Sequence, residues 1–193
     1  MRLAVLTLFA IAAGACGSTP TAPDSVESCA GFGDWRTSSY VLPYAAGQSY
    51  FVDQGNCSAP GNGHRGAAKF GYDFLMPIGT SVSAARAGVV IHVVESHFDG
   101  ELAATGFDNY LLLQHADGTT GLYGHVTHDG VLVEVGEAVM QGMVIARSGN
   151  TGNTGNKPHL HFSVAPCDTV SRGTDACPTL PVNLPTRSRT RKA

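Results

Sequence analysis

Charge is scarce in this sequence. Only 14% of its 193 residues are Asp, Glu, Lys or Arg, against about 25% in an average protein. A coiled coil, which needs Glu, Lys, Arg and Leu in sustained heptads, is thereby excluded. The formal net charge of -3 argues against non-specific nucleic-acid binding by the whole chain, and no nucleic-acid partner is expected. Long hydrophobic runs are missing too. The longest, Leu3 to Ala13, is too short for a membrane span, which needs roughly 20 residues. Beyond it, no segment shows a sustained 3.6-residue apolar period, so long helices are not expected. Cysteine pairs two to four residues apart are also lacking, which speaks against a thiolate zinc knuckle.

Glycine, by contrast, is abundant: 24 of 193 residues, where about 7% is usual. Hydrophobic residues make up 43%, enough for a core and too many for global disorder. Runs of β-branched and aliphatic residues at 89–94, 110–114, 121–126, 131–135, 143–146 and 159–164 read as strands. The stretches Ala116-Asp117-Gly118, His128-Asp129-Gly130 and Ser148-Gly149-Asn150 between them supply turn residues. The expected fold is all-β and mainly antiparallel: a curled, barrel-sandwich-like sheet with a groove and few or no helices in the mature chain. A faint echo relates 79–90 to 136–145, each with a G-x-x-V phrase before a G-x-V/I phrase. It reads as two similar hairpins. Biotinyl and lipoyl carriers use similar phrases, but no modifiable Lys occurs in this echo.

The ends read differently from the body. Arg2, the apolar run and Ala13-Gly14-Ala15 form a secretory signal over residues 1–15. Ala-Gly-Ala-Cys followed by Gly17 resembles a lipoprotein box, so Cys16 is expected to carry lipid; ordinary secretory cleavage falls at the same bond. Residues 16–27 read as a flexible tether, rich in Ser, Thr, Pro and Ala. The main domain spans 28–184, and 185–193 form a basic tail holding Arg187, Arg189, Arg191 and Lys192. Between residues 30 and 184 stand seven basic and thirteen acidic residues, so the body is acidic. Once Cys16 is set aside, four cysteines remain in an exported chain, and disulfides are the default. Of three connectivities, Cys29–Cys57 with Cys167–Cys177 is expected, each pair lying in a turn-rich stretch outside the strand-dense centre.

Chemistry concentrates in the eight histidines. His159-Leu160-His161 sits in a strand pattern, where residues two apart share a face. The preceding polar, glycine-rich loop 148–158 can frame a cleft. Asp73 lies among aromatic and aliphatic residues, a costly place for a carboxylate unless it is paired or coordinated. His125 interrupts an otherwise apolar strand end.

Several phrases in order, namely His64 ahead of Tyr72-Asp73-Phe74, then 77–90, 109–118, Leu122-Tyr123-Gly124-His125-Val126 and 152–162, resemble the LytM/lysostaphin-type zinc metallopeptidases of family M23. The resemblance covers roughly residues 40 to 184. It implies zinc held by His64, Asp73 and His161, with His125 and His159 as catalytic non-ligands. It also implies an endopeptidase acting on peptide bonds of bacterial peptidoglycan. With the signal and the Cys16 phrase, the chain is expected to be an exported, periplasmic or cell-surface monomer, lipid-anchored or else secreted. One feature departs from the family's commonest pattern: eight residues, not three, separate His64 from Asp73. His92, His97 and His115 are the substitute ligands to consider. A relative that has lost ligands and activates a cell-wall amidase is the alternative function; it predicts missing positions, and all five are filled. A cupin-like site would need a carboxylate three or four residues after His161, where none stands.

Overall fold

The computed structural model describes residues 29–57, 63–101, 108–167 and 176–185. The signal (1–15), the tether with Cys16 and tail residues 186–193 lie outside them.

Ten strands occur among the described residues: β1 (Val52–Gln54), β2 (Tyr72–Leu75), β3 (Ser81–Ser83), β4 (Gly88–Val94), β5 (Tyr110–Gln114), β6 (Thr120–Gly124), β7 (Val126–Val131), β8 (Ala138–Val139), β9 (Val144–Ser148) and β10 (His159–Ala165). Among the described residues, helix is confined to two 3-10 turns, Trp35–Thr37 and Gly66–Ala68. Seven strands form one sheet in the order β1-β2-β10-β6-β5-β4-β8, and three form a second, β3-β9-β7. All the pairings are antiparallel. The fold is all-β as expected, but the sheet is not closed into a barrel.

Strand alternation explains the packing. Leu160, Phe162 and Val164 of β10 enter the core with Leu111 and Leu113 of β5 and Tyr123 of β6. They meet Val82, Val126, Ile145 and Ala146 from the smaller sheet, so one apolar cluster joins both sheets. Because side chains alternate, His159 and His161 emerge on the other face of β10. The buried phenol of Tyr123 accepts a hydrogen bond from the Ala85 N–H at 2.7 Å. Tyr123→Phe should therefore destabilise the fold by about 1–3 kcal/mol, the cost of an orphaned buried donor, measured as a drop in urea midpoint with an unchanged slope.

Two strand readings need correction. Residues 131–135 do not form a strand; Val131 ends β7. The His128-Asp129-Gly130 turn instead lies within β7, where Asp129 has φ 49° and the pairing to β9 shifts register. The turn chemistry is present, but it bends a strand rather than ending one. The echoed phrases do not make separate hairpins either. They exchange partners, β3 pairing with β9 and β4 with β8. The disulfides are Cys29–Cys57 and Cys167–Cys177, which leaves none of these four thiols for a metal.

Candidate metal centre

The register of β10 sets the site. His161 lies opposite Asp73 of β2 on one side and Gly124 of β6 on the other. Directly opposed residues have Cβ atoms about 4.5–5.5 Å apart, so Asp73 reaches the imidazole without leaving its strand. Its Oδ1 is 2.8 Å from His161 Nδ1. On the other flank a Cβ at Gly124 would stand 3.4 Å from that of His161, an ordinary contact distance.

His64 arrives from a loop. The eight intervening residues compact into the 3-10 turn Gly66–Ala68, and the chain returns at Gly71. A Cβ at 71 would meet His64 Nδ1 at 2.9 Å and His161 Cε1 at 3.0 Å, so only glycine lets both rings close in. His64 Nε2 then lies 3.3 Å from Asp73 Oδ1 and 3.2 Å from His161 Nδ1. Zinc bonds of about 2.0–2.1 Å in a tetrahedron would set neighbouring ligand atoms about 3.3 Å apart. All three atoms lie within 4.8 Å of one another. Two imidazole nitrogens and one carboxylate are a donor set suited to zinc with an open position. Spacing and donor chemistry both fit a metal ion. His92, His97 and His115 lie elsewhere: His92 stacks on Tyr110, the His97 backbone bonds Asn109, and His115 Nδ1 faces Ala87 O.

Two further histidines border this cluster. His159 Nδ1 lies 2.7 Å from Lys157 O, and His125 Nδ1 lies 2.7 Å from Thr151 O. A carbonyl can only accept, so each Nδ1 carries the proton and each neutral ring keeps Nε2 as a base. His159 Nε2 is 3.7 Å from Asp73 Oδ1, and the two rings meet at 4.5 Å between centroids. His125 occupies the junction of β6 and β7 at φ 59°, a conformation that L side chains rarely adopt. A cavity of about 390 Å³ spans all five side chains, with Asp53 and Lys157 at its rim.

The electrostatics follow from burial. Burial alone would raise the Asp73 carboxyl, but hydrogen bonds from His161 and His64 outweigh it and hold it well below its ordinary range. Burial pushes His161 down despite Asp73. Burial, then the neighbouring His125, lowers His159; burial, then His161, lowers His125. All three therefore favour the neutral, lone-pair form.

Several contributors were not singled out from the sequence. The carbonyls of Thr151 and Lys157 are backbone groups, with no side-chain signature. The Asp53–Lys157 ion pair at 3.0 Å joins residues 104 apart. Gly71 contributes through the side chain it lacks, which leaves no motif to read.

Comparison with known proteins identifies the family. The sequence model described as "Peptidase family M23" matches residues 67–172, more than half of the chain; Asp73, His125, His159 and His161 lie inside that match and His64 just before it. The chain is 36% identical over 94 residues to the peptidoglycan DD-endopeptidase ShyA of Vibrio cholerae, covering 49% of this chain and 19% of that protein. To the lysostaphin of Staphylococcus simulans it is 35% identical over 101 residues, covering 52% of this chain and 18% of that protein. It thus spans about a fifth of the length of these curated relatives. A solved zinc-containing peptidase from Vibrio cholerae is 29% identical with a TM-score of 0.48, covering 66% of this chain and 37% of that one. With more than half its length matched, and in the stretch that carries the histidine pair, the chain belongs to peptidase family M23.

Proposed function

We propose that the chain is a zinc-dependent endopeptidase that hydrolyses peptide bonds of peptidoglycan. The observation that carries this reading is the pairing of a three-ligand cluster with two imidazoles whose Nδ1 protons are committed to carbonyls. His64, Asp73 and His161 would hold the ion. Bound zinc supplies Lewis-acid polarisation of a carbonyl and acidification of water.

The remaining chemistry falls to this chain's own residues. His159 Nε2 and His125 Nε2 face the shared cavity as bases. One takes a proton at Nε2 from the attacking water, and that same proton is the one then delivered to the leaving amine, so the rings end neutral as they began. Their Nδ1–H groups stay bonded to Lys157 O and Thr151 O, so neither ring can swing away while its charge changes. Burial keeps both rings neutral and ready at neutral pH. The polar rim, with Asp53 and Lys157, suits a peptide backbone rather than an apolar ligand.

The substrate assignment rests on relatives named as a peptidoglycan endopeptidase and a lysostaphin. Such a substrate calls for a domain that works outside the cytoplasm, in the periplasm or at the cell surface, as a monomer; the Ala13-Gly14-Ala15-Cys16 phrase supports a lipid anchor on Cys16, with plain secretion as the alternative. A binding module that activates an amidase would be expected to lack a ligand or a catalytic histidine, and the five side chains converge instead.

Metal removal tests the reading. Purified protein should contain about one zinc per chain. Dialysis against a chelator should abolish the digestion of purified sacculi, and added zinc should restore it. Full digestion by metal-free protein would contradict the proposal.

A further inference from the structure

The turn that carries His64 is held by a residue more than a hundred positions away. Ala67 O, inside the turn, accepts from Thr179 N at 2.7 Å and from Thr179 Oγ1 at 3.0 Å. The same hydroxyl accepts from the Phe70 N–H at 3.1 Å. One hydroxyl, on a residue 6% exposed, thus uses its proton on one limb of the turn and a lone pair on the other. Phe70 directly precedes Gly71, the residue over which the His64 and His161 rings meet.

Thr179 is itself fixed to the strand of the other histidine. The adjacent Leu180 N–H donates to Val164 O of β10 at 2.7 Å. Cys177, two residues earlier, is bridged to Cys167 just beyond β10. On the far limb of the turn, Cys57 N–H donates to Lys69 O at 2.7 Å, and Cys57 is bridged to Cys29. A His–Asp spacing of eight residues rather than three adds little closure entropy, which grows only slowly with loop length, but it leaves the position of His64 to be set by whatever packs against the loop. These contacts turn that loop into a braced bracket referenced to β10.

We propose that Thr179 is the positioning residue for His64, coupling the turn at Gly66–Ala68 to the strand bearing His161. The proposal rests on the metal reading of His64, Asp73 and His161. Without the hydroxyl, the Phe70 N–H loses its partner and the turn loosens, so ordering His64 becomes a cost of metal binding. Loss of a partner bonded directly to a ligand typically lowers metal affinity about 10- to 100-fold; Thr179 acts one step further out, through the turn, which sets the expectation at the lower end of that range.

The test is zinc affinity by chelator competition, with Co²⁺ as a spectroscopic probe, on wild type, Thr179→Val and Thr179→Ser. Thr179→Val should bind zinc roughly 10-fold more weakly, with an altered cobalt visible spectrum. Thr179→Ser, which keeps the hydroxyl, should match wild type in both. If the valine variant does not fold, Thr179→Ala, which relieves crowding at the turn, serves in its place. In a His64→Ala background the same change at 179 should have no further effect on affinity. A Thr179→Val protein of lowered melting temperature but wild-type zinc affinity and cobalt spectrum would overturn the proposal alone. Wild type that binds neither metal would overturn both the proposal and the metal reading beneath it.

Discussion

His161→Ala should abolish peptidoglycan cleavage and metal binding together. His161 Nδ1 is the atom nearest both other candidate ligands, at 2.8 Å from Asp73 Oδ1 and 3.2 Å from His64 Nε2. Alanine removes one of three donors and one of the hydrogen bonds that keep the buried Asp73 ionised. Zinc affinity should fall by more than about 100-fold, beyond what loss of a mere supporting partner costs. Cleavage should drop to the uncatalysed background. The fold should survive, because the core contacts of β10 come from Leu160, Phe162 and Val164 on its other face. Zinc content and thermal melting, measured on one preparation, check this. A folded His161→Ala protein that retains stoichiometric zinc would contradict the ligand assignment.

The second large effect separates chemistry from metal binding. His125→Ala should leave zinc in place and lower kcat by roughly 10²- to 10⁴-fold, the usual contribution of a positioned acid or base. The imidazole has one carbonyl-bound nitrogen and one facing the cavity, a geometry that a bystander histidine has no need to maintain. Its backbone supplies a control. At φ 59° an L residue carries a strain of about 1–3 kcal/mol, which glycine does not. His125→Gly should therefore melt at a higher temperature than His125→Ala while being equally inactive. Equal stability of the two variants would mean that the left-handed conformation relaxes once the ring is gone.

How legible this molecule is from sequence depends on the range of each interaction. β4, β5, β6 and β10 show as aliphatic runs because each has at least five residues over which to repeat a pattern. β1, β3 and β8 have two or three, too few for any period to emerge. β7 conceals itself by carrying turn residues inside a strand. At the site, the histidine pair is readable because strand alternation is local, and Asp73 because a carboxylate among apolar neighbours needs partners. His64 is different. Whether it can reach the cluster depends on a turn braced by Thr179 and on the missing side chain of Gly71. Neither is encoded near His64 in a form that periodicity or spacing reveals. The family resemblance could name His64, but the fold supplies the physical reason that eight intervening residues are tolerated.

The central claim, catalysis rather than binding alone, is tested most directly by the release of new peptide ends from purified sacculi, with wild type and His125→Ala compared at equal zinc content. The account predicts release by wild type and a loss of at least about 100-fold in the variant. Zinc-loaded wild type that releases nothing, or a His125→Ala protein that matches it, would contradict the account.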